Sequence, residues 1–180
     1  HTNFSMEAIE QTWNGSATGQ SRCSATISRN GDLVSRMYLE VGGSPATAAG
    51  TTALRTTANP GSSFIKSVEL EIGGQKIDKQ SGFWMECFAE LTEPNPGGCG
   101  GIMASTGNAT GPYDPATTVG QTKFQAMAGM GGIGAPDVTA NVTGTMIYTV
   151  PLNFWFCKNP GLALPLIALQ YHEVKVYLDH

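Results

Sequence analysis

With 180 residues, the chain is long enough to bury a substantial core in one large domain or two small ones. Charged residues are only 13% of it, against about 25% in an average soluble domain, and its few Lys and Arg are scattered at a net charge of −4. Coating a genome needs clustered cations to neutralise phosphates, so direct nucleic-acid binding is not expected. Abundant Gly, Ser and Thr with low charge suit an all-β protein with long loops and much surface that meets other subunits.

Phe4, Met6 and Ala8 alternate with Ser5 and Glu7, which predicts a first strand; the apolar phase then shifts to Ile9 and Trp13, as at a bulge. Asn14-Gly15-Ser16 reads as a turn. Cys23, Ala25 and Ile27 alternate in a second strand. Arg29-Asn30-Gly31-Asp32 signals a hairpin turn, because Asn-Gly accepts positive φ. Leu33, Met37, Leu39 and Val41 carry the next strand, and residues 42–62 read as a loop.

Val68, Leu70 and Ile72 alternate with Glu69 and Glu71, Gly73-Gly74 is a two-residue hairpin turn, and residues 75–79 return. Counting outward pairs Ile72 with Gln75, Glu71 with Lys76, and Leu70 with Ile77. This register predicts Leu70 and Ile77 on the buried face and a Glu71–Lys76 charge pair on the wet face. Residues 83–92 change to a helical period, with Phe83, Trp84, Cys87, Phe88 and Leu91 on one face. Pro94 and Pro96 stop this short helix, which is expected to plug an open end of the β-structure.

From Glu93 to about Val142 the pattern is nearly structureless, apart from a short strand near residues 123–127. Met146, Tyr148, Val150 and Leu152 alternate again and lead into Phe154, Trp155 and Phe156, of which at least two are expected in the core. A turn at Asn159-Pro160-Gly161 precedes the apolar run Leu162–Leu169. That run contains Pro165 and is too short to span a membrane, so its surface must meet a core or another subunit. A last strand is expected to begin at Gln170-Tyr171-His172-Glu173, with Val174, Val176 and Leu178 on one face. The whole predicts an antiparallel jelly-roll sandwich of about eight strands, with one short helix and long loops, over residues 1–180.

Little in the chain points to chemistry. Cys23, Cys87, Cys99 and Cys157 match no zinc pattern and include no C-x-x-C, so free thiols in a reducing compartment are expected. The histidines are His1, His172 and His180. On a strand, His172 and Glu173 face opposite sides and cannot share a metal. Lys158 beside Cys157 would lower a thiol pKa, but one neighbour makes no nucleophile. The Gly-rich stretch 129–134 lacks the Lys-Ser/Thr ending of a phosphate loop. No catalytic residue, cofactor or metal site is expected. Of the glycosylation sequons at Asn3, Asn14, Asn108 and Asn141, Asn108 in the long loop is the most accessible. No signal peptide is visible, and the start at His1 rather than Met reads as a fragment or a processed product.

Four segments in order carry a resemblance. They are His1–Phe4 with Glu7, Ile9 and Gln11; Ile27–Leu33; Glu69–Asp78 followed by the Trp84 helix; and residues 151–174, PLNFWFCKNPGLALPLIALQYHEV. Together they are similar to the major capsid proteins of nucleocytoplasmic large DNA viruses. The resemblance implies a structural, non-enzymatic protein and the first of two consecutive jelly rolls, the second expected after His180. It also implies homotrimers forming pseudo-hexagonal capsomers, which tile an icosahedral shell with neighbouring capsomers and minor capsid proteins. The place implied is the virion, assembled in the host cytoplasm. As motif residues with structural roles it marks Asn30, Gly31, Asp32, Gly73, Gly74, Trp84, Phe154, Trp155, Phe156, Asn159, Pro160, Gly161, Pro165, Tyr171, His172 and Glu173. Two other readings stay open: a single jelly-roll minor or vertex capsid protein, and a jelly roll that binds host glycans.

Overall fold

A computed structural model describes residues 3–16, 19–43, 54–55, 59–94, 122–132, 137–138 and 146–180. The strands are β1 (Arg22–Thr26), β2 (Leu33–Val34), β3 (Tyr38–Gly43), β4 (Leu54–Arg55), β5 (Ser67–Ile72), β6 (Gln75–Ser81), β7 (Asp137–Val138), β8 (Met146–Pro151), β9 (Leu164–Pro165) and β10 (Val174–Asp179). Between them lie the helices α1 (Pro60–Ser63), α2 (Gly82–Thr92), α3 (Lys123–Ala128) and α4 (Trp155–Lys158), and a 3-10 turn at Pro160–Leu162.

The pairing is nested. β1 pairs with β10, β2 with β9, β3 with β8, β4 with β7 and β5 with β6, every pair antiparallel. The chain is thus one long hairpin whose tip is the Gly73-Gly74 turn. Both tip residues have positive φ, 59° and 83°, which suits the right-handed twist of a two-residue hairpin. Rolling the hairpin sets β10 against β5, giving a four-stranded sheet in the order β1-β10-β5-β6. This is the jelly-roll wrap, and the all-β antiparallel expectation holds. One core fills it: Val68 and Leu70 of β5 and Val174, Val176 and Leu178 of β10 join Leu39 of β3, Val150 of β8, Phe154 and Phe156.

Several local expectations are corrected. Residues 3–13 form no strand; Phe4 and Met6 are exposed, and the segment touches β1 through a bridge between Asn14 and Ser24. Alternation marks a chain able to be half-buried, and no described residue supplies the covering face. Asn30, Gly31 and Asp32 form a bend but close no hairpin, because β10 is the partner of β1 and β9 that of β2. Residues 123–127 are helical. The signal was a capping box: the Thr122 hydroxyl accepts from Gln125 N while the Gln125 side chain accepts from Thr122 N, and Gly129 closes the helix at φ 61°. The final strand starts at Val174, after turns through residues 166–172.

The β5–β6 register shifts between Leu70 and Glu71, so Leu70 faces Asp78 and Glu69 faces Lys79. Ile77 bulges out and is half exposed, not paired with Leu70 in the core. Charge explains the slip. Without it Glu69 would oppose Asp78, a like-charge pair, whereas the bulge sets Glu69 against a lysine.

The short helices pack backbone to backbone. Gly61 N donates to Gly129 O at 2.8 Å, and a Cβ on Gly61 would collide with the Ala128 carbonyl. Gly61→Ala therefore lowers stability by about 1–2 kcal/mol, because the obstructing atom is backbone and cannot rotate away. Urea denaturation midpoints check this; an unchanged midpoint would show that α1 and α3 slide apart at no cost.

Candidate assembly surface

The C-terminal motif divides its side chains between core and surface. Phe154 and Phe156 are fully buried with rings 5.7 Å apart, while Trp155 is 37% exposed and meets the Phe156 ring edge-on at 5.1 Å. Asn159 turns the chain by accepting from Gly161 N at 2.8 Å, with Pro160 opening the 3-10 turn. Pro165 sits in the two-residue strand β9 opposite Leu33, and Leu164 and Leu166 on either side of it are buried. Leu166 N donates to Asp32 O at 2.9 Å, and Arg29 donates to the carbonyls of Leu169 and His172 at 3.1 Å each. Gly73 N donates to Glu173 O, and the His172 ring lies where a Cβ on Gly73 would be. Residues 29–32, 73 and 164–173 thus meet at one corner of the sandwich. Leu33, Ile167 and Tyr171 are exposed there, Tyr171 by 86%. Within the apolar run Leu164 and Leu166 are core, while Leu162, Pro165, Ile167 and Ala168 are exposed.

The α2 helix reverses its expected orientation. Met85, Ala89 and Gly82 face the core, whereas Phe83 (82% exposed), Trp84, Cys87 and Leu91 (85% exposed) face outward, with Phe88 half-buried. It packs Gly82, Met85 and Ala89 inward and presents its aromatic stripe. Gly82 decides the side, since a Cβ there would strike the carbonyls of Ile65 and Ser62. Trp84 and Phe88 stack at 5.1 Å, and the Lys158 ammonium lies 5.0 Å from the Phe88 ring and 5.9 Å from Trp84. Beside them opens a shallow groove of about 350 Å³, lined by Met37, Tyr38, Phe88, Leu152, Cys157 and Lys158 among others.

The polar groups that look chemical are internally satisfied. Glu86 accepts from Gly131 N and Gly132 N at 2.9 Å and from the Ser62 hydroxyl at 2.7 Å. The amides of the Gly-rich stretch therefore hold a carboxylate of the chain itself. Glu69, 2% exposed, forms ion pairs with Arg22, Lys76 and Lys79, each at 2.9 Å. It is covered from solvent by these cations, on the sheet face away from the apolar core. Lys76 stands opposite Glu71 in the register, as expected, but its ammonium pairs with Glu69.

Among the described residues no cluster of His, Cys, Asp and Glu is arranged to hold a metal, and no helix is long and apolar enough to cross a membrane. Cys23, Cys87 and Cys157 are free thiols; Cys99 and Asn108 lie outside the described residues. Burial pushes the Cys157 thiol up to about 11, against the smaller opposing pull of hydrogen bonds with the backbone of Met37 and Phe154. Lys158 turns to the aromatic rings and does not activate it. At pH 8 Cys157 is expected to react with iodoacetamide about tenfold or more slowly than a free cysteine, since scarcity of thiolate outweighs its greater nucleophilicity. Mass-spectrometric labelling kinetics measure this; labelling at the free-cysteine rate would refute the burial effect.

Comparison with known proteins agrees with this architecture. The family described as major capsid protein N-terminus matches residues 1–180. The chain is 46% identical to the major capsid protein of Phaeocystis pouchetii virus, over 99% of this chain and 35% of that one. It is 35% identical to the major capsid protein of Paramecium bursaria Chlorella virus 1, over 98% of this chain and 33% of that one. The quasi-atomic PBCV-1 virus capsid superposes with a TM-score of 0.65 at 32% identity, covering 99% of this chain and 35% of that one. The chain therefore spans about a third of the length of the relatives it matches. With the nested jelly-roll pairing and a match along its whole length, the chain belongs to the major capsid protein N-terminus family.

Proposed function

We propose that this chain is the first jelly roll of a major capsid protein whose second jelly roll follows residue 180. Three copies form a pseudo-hexagonal capsomer, and capsomers tile an icosahedral shell with one another and with minor capsid proteins. The protein acts structurally and not as an enzyme, and its place is the virion, assembled in the host cytoplasm. The motif residues serve this by shape: Asn159, Pro160 and Gly161 turn the chain, Phe154 and Phe156 anchor it, and Tyr171 and His172 stand at the corner. The observation that carries the reading is that corner, where Leu33, Ile167 and Tyr171 are each exposed on segments that Arg29 ties together. An apolar patch so placed fits a contact between subunits. Light scattering behind a sizing column tests it on the full-length gene product. A compact trimer of a chain more than twice this length is expected, and Ile167→Asp with Tyr171→Asp should reduce it to folded monomer. A wild-type monomer would overturn the proposal.

A further inference from the structure

Resting on that two-domain reading, we infer that the outer face of α2 seats the second domain of the same polypeptide and is not a contact between copies. The surface is built for a permanent partner. Phe83, Trp84, Cys87, Phe88 and Leu91 follow one side of the helix for about 12 Å and lead into the groove beside Lys158. Phe83 and Leu91 are each more than four-fifths exposed, and the ammonium of Lys158 already rests on the aromatic rings. Large apolar side chains left this open need a cover.

The path of the chain names the cover. Asp179 of β10 pairs with Ser67 of β5, and Ser67 pairs with Ser81 of β6. Two strand spacings, about 10 Å, therefore separate the end of β10 from the residue that caps α2. His180 is fixed at this end by paired backbone bonds with Ser21 and by stacking on Phe64 at 4.9 Å. Polypeptide continuing past residue 180 therefore starts about 10 Å from Ser81, the N-cap of the helix that carries Phe83 and Trp84. The relatives supply the mass, since this chain covers 35% of the Phaeocystis pouchetii virus protein. A tethered domain meets the stripe at millimolar effective concentration, an advantage no separate copy has. The Tyr171 corner lies at the far end of β10, about 20 Å away, and stays free for contacts between copies.

Photo-crosslinking in the full-length gene product tests this. The crosslinker p-benzoylphenylalanine is placed at position 83 in one preparation and at position 91 in another, both exposed enough to spare the fold. Mixed isotope-labelled and unlabelled protein separates crosslinks within a chain from those between chains. The expected product keeps the monomer mass on a denaturing gel and joins position 83 or 91 to peptides beyond residue 180. Products at twice the monomer mass, products confined to residues 1–180, or no product would overturn the inference. The native mass is read on the same samples. A trimer without the intrachain crosslink removes this inference and leaves the proposed function intact, whereas a monomer that ends near residue 180 removes both.

Discussion

Phe156→Ala lowers the stability of the jelly roll by about 3–5 kcal/mol, while Trp155→Ala beside it costs about 1–2 kcal/mol. The two residues adjoin in sequence and are both aromatic, so the difference isolates burial. Phe156 is fully enclosed, stacked on Phe154 and met edge-on by Trp155. Removing its ring leaves a cavity between α4 and the strands that hold Leu39 and Val150, in a core too closely packed to collapse around it. Trp155 keeps over a third of its surface in solvent, so its loss opens a notch and not a void. Urea unfolding of the two variants, compared at equal slope, reads the difference directly. Equal midpoints would mean that Phe156 is not a core residue.

What could be read from the sequence was local. The Gly73-Gly74 tip, the alternation of β5 and of β10, and the Asn159 turn each declare themselves within a few residues. Nested pairing is different in kind. Cys23 faces Leu178, and no property of either residue encodes the other. The resemblance to a known family, not periodicity, carried that step. The α2 helix shows a second limit. It is apolar on two sides, and a hydrophobic period finds stripes without saying which one is covered. The deciding residue was Gly82, small enough to let the helix meet two carbonyls. The bulge at Ile77 was within reach, because counting one residue further in the simple register sets Glu69 against Asp78. The Thr122–Gln125 capping box was also present, hidden by the Gly-rich sequence around it.

Replacing Glu69 by Gln lowers stability by about 2–3 kcal/mol at pH 7, and the loss fades on acidification. Burial by itself would raise this carboxyl, but bonds from Lys76, Lys79 and Arg22 outweigh burial and hold it at about 2, below its ordinary 4.5. A folded-state value below the unfolded one means the stabilisation is complete above pH 4.5 and is lost as pH falls toward 2. The cations are about half exposed, so solvent screening trims the full linkage value of about 3 kcal/mol. Without the carboxylate, three positive groups crowd one face of β5, and among the described residues Arg22 keeps Asp179 at 3.5 Å and the Tyr177 ring. Unfolding free energies of wild type and variant should therefore converge between pH 4.5 and 2. A gap that stays constant through that window would mean that Glu69 contributes shape alone, and that the charge pairing invoked for the β5–β6 bulge does not set its register.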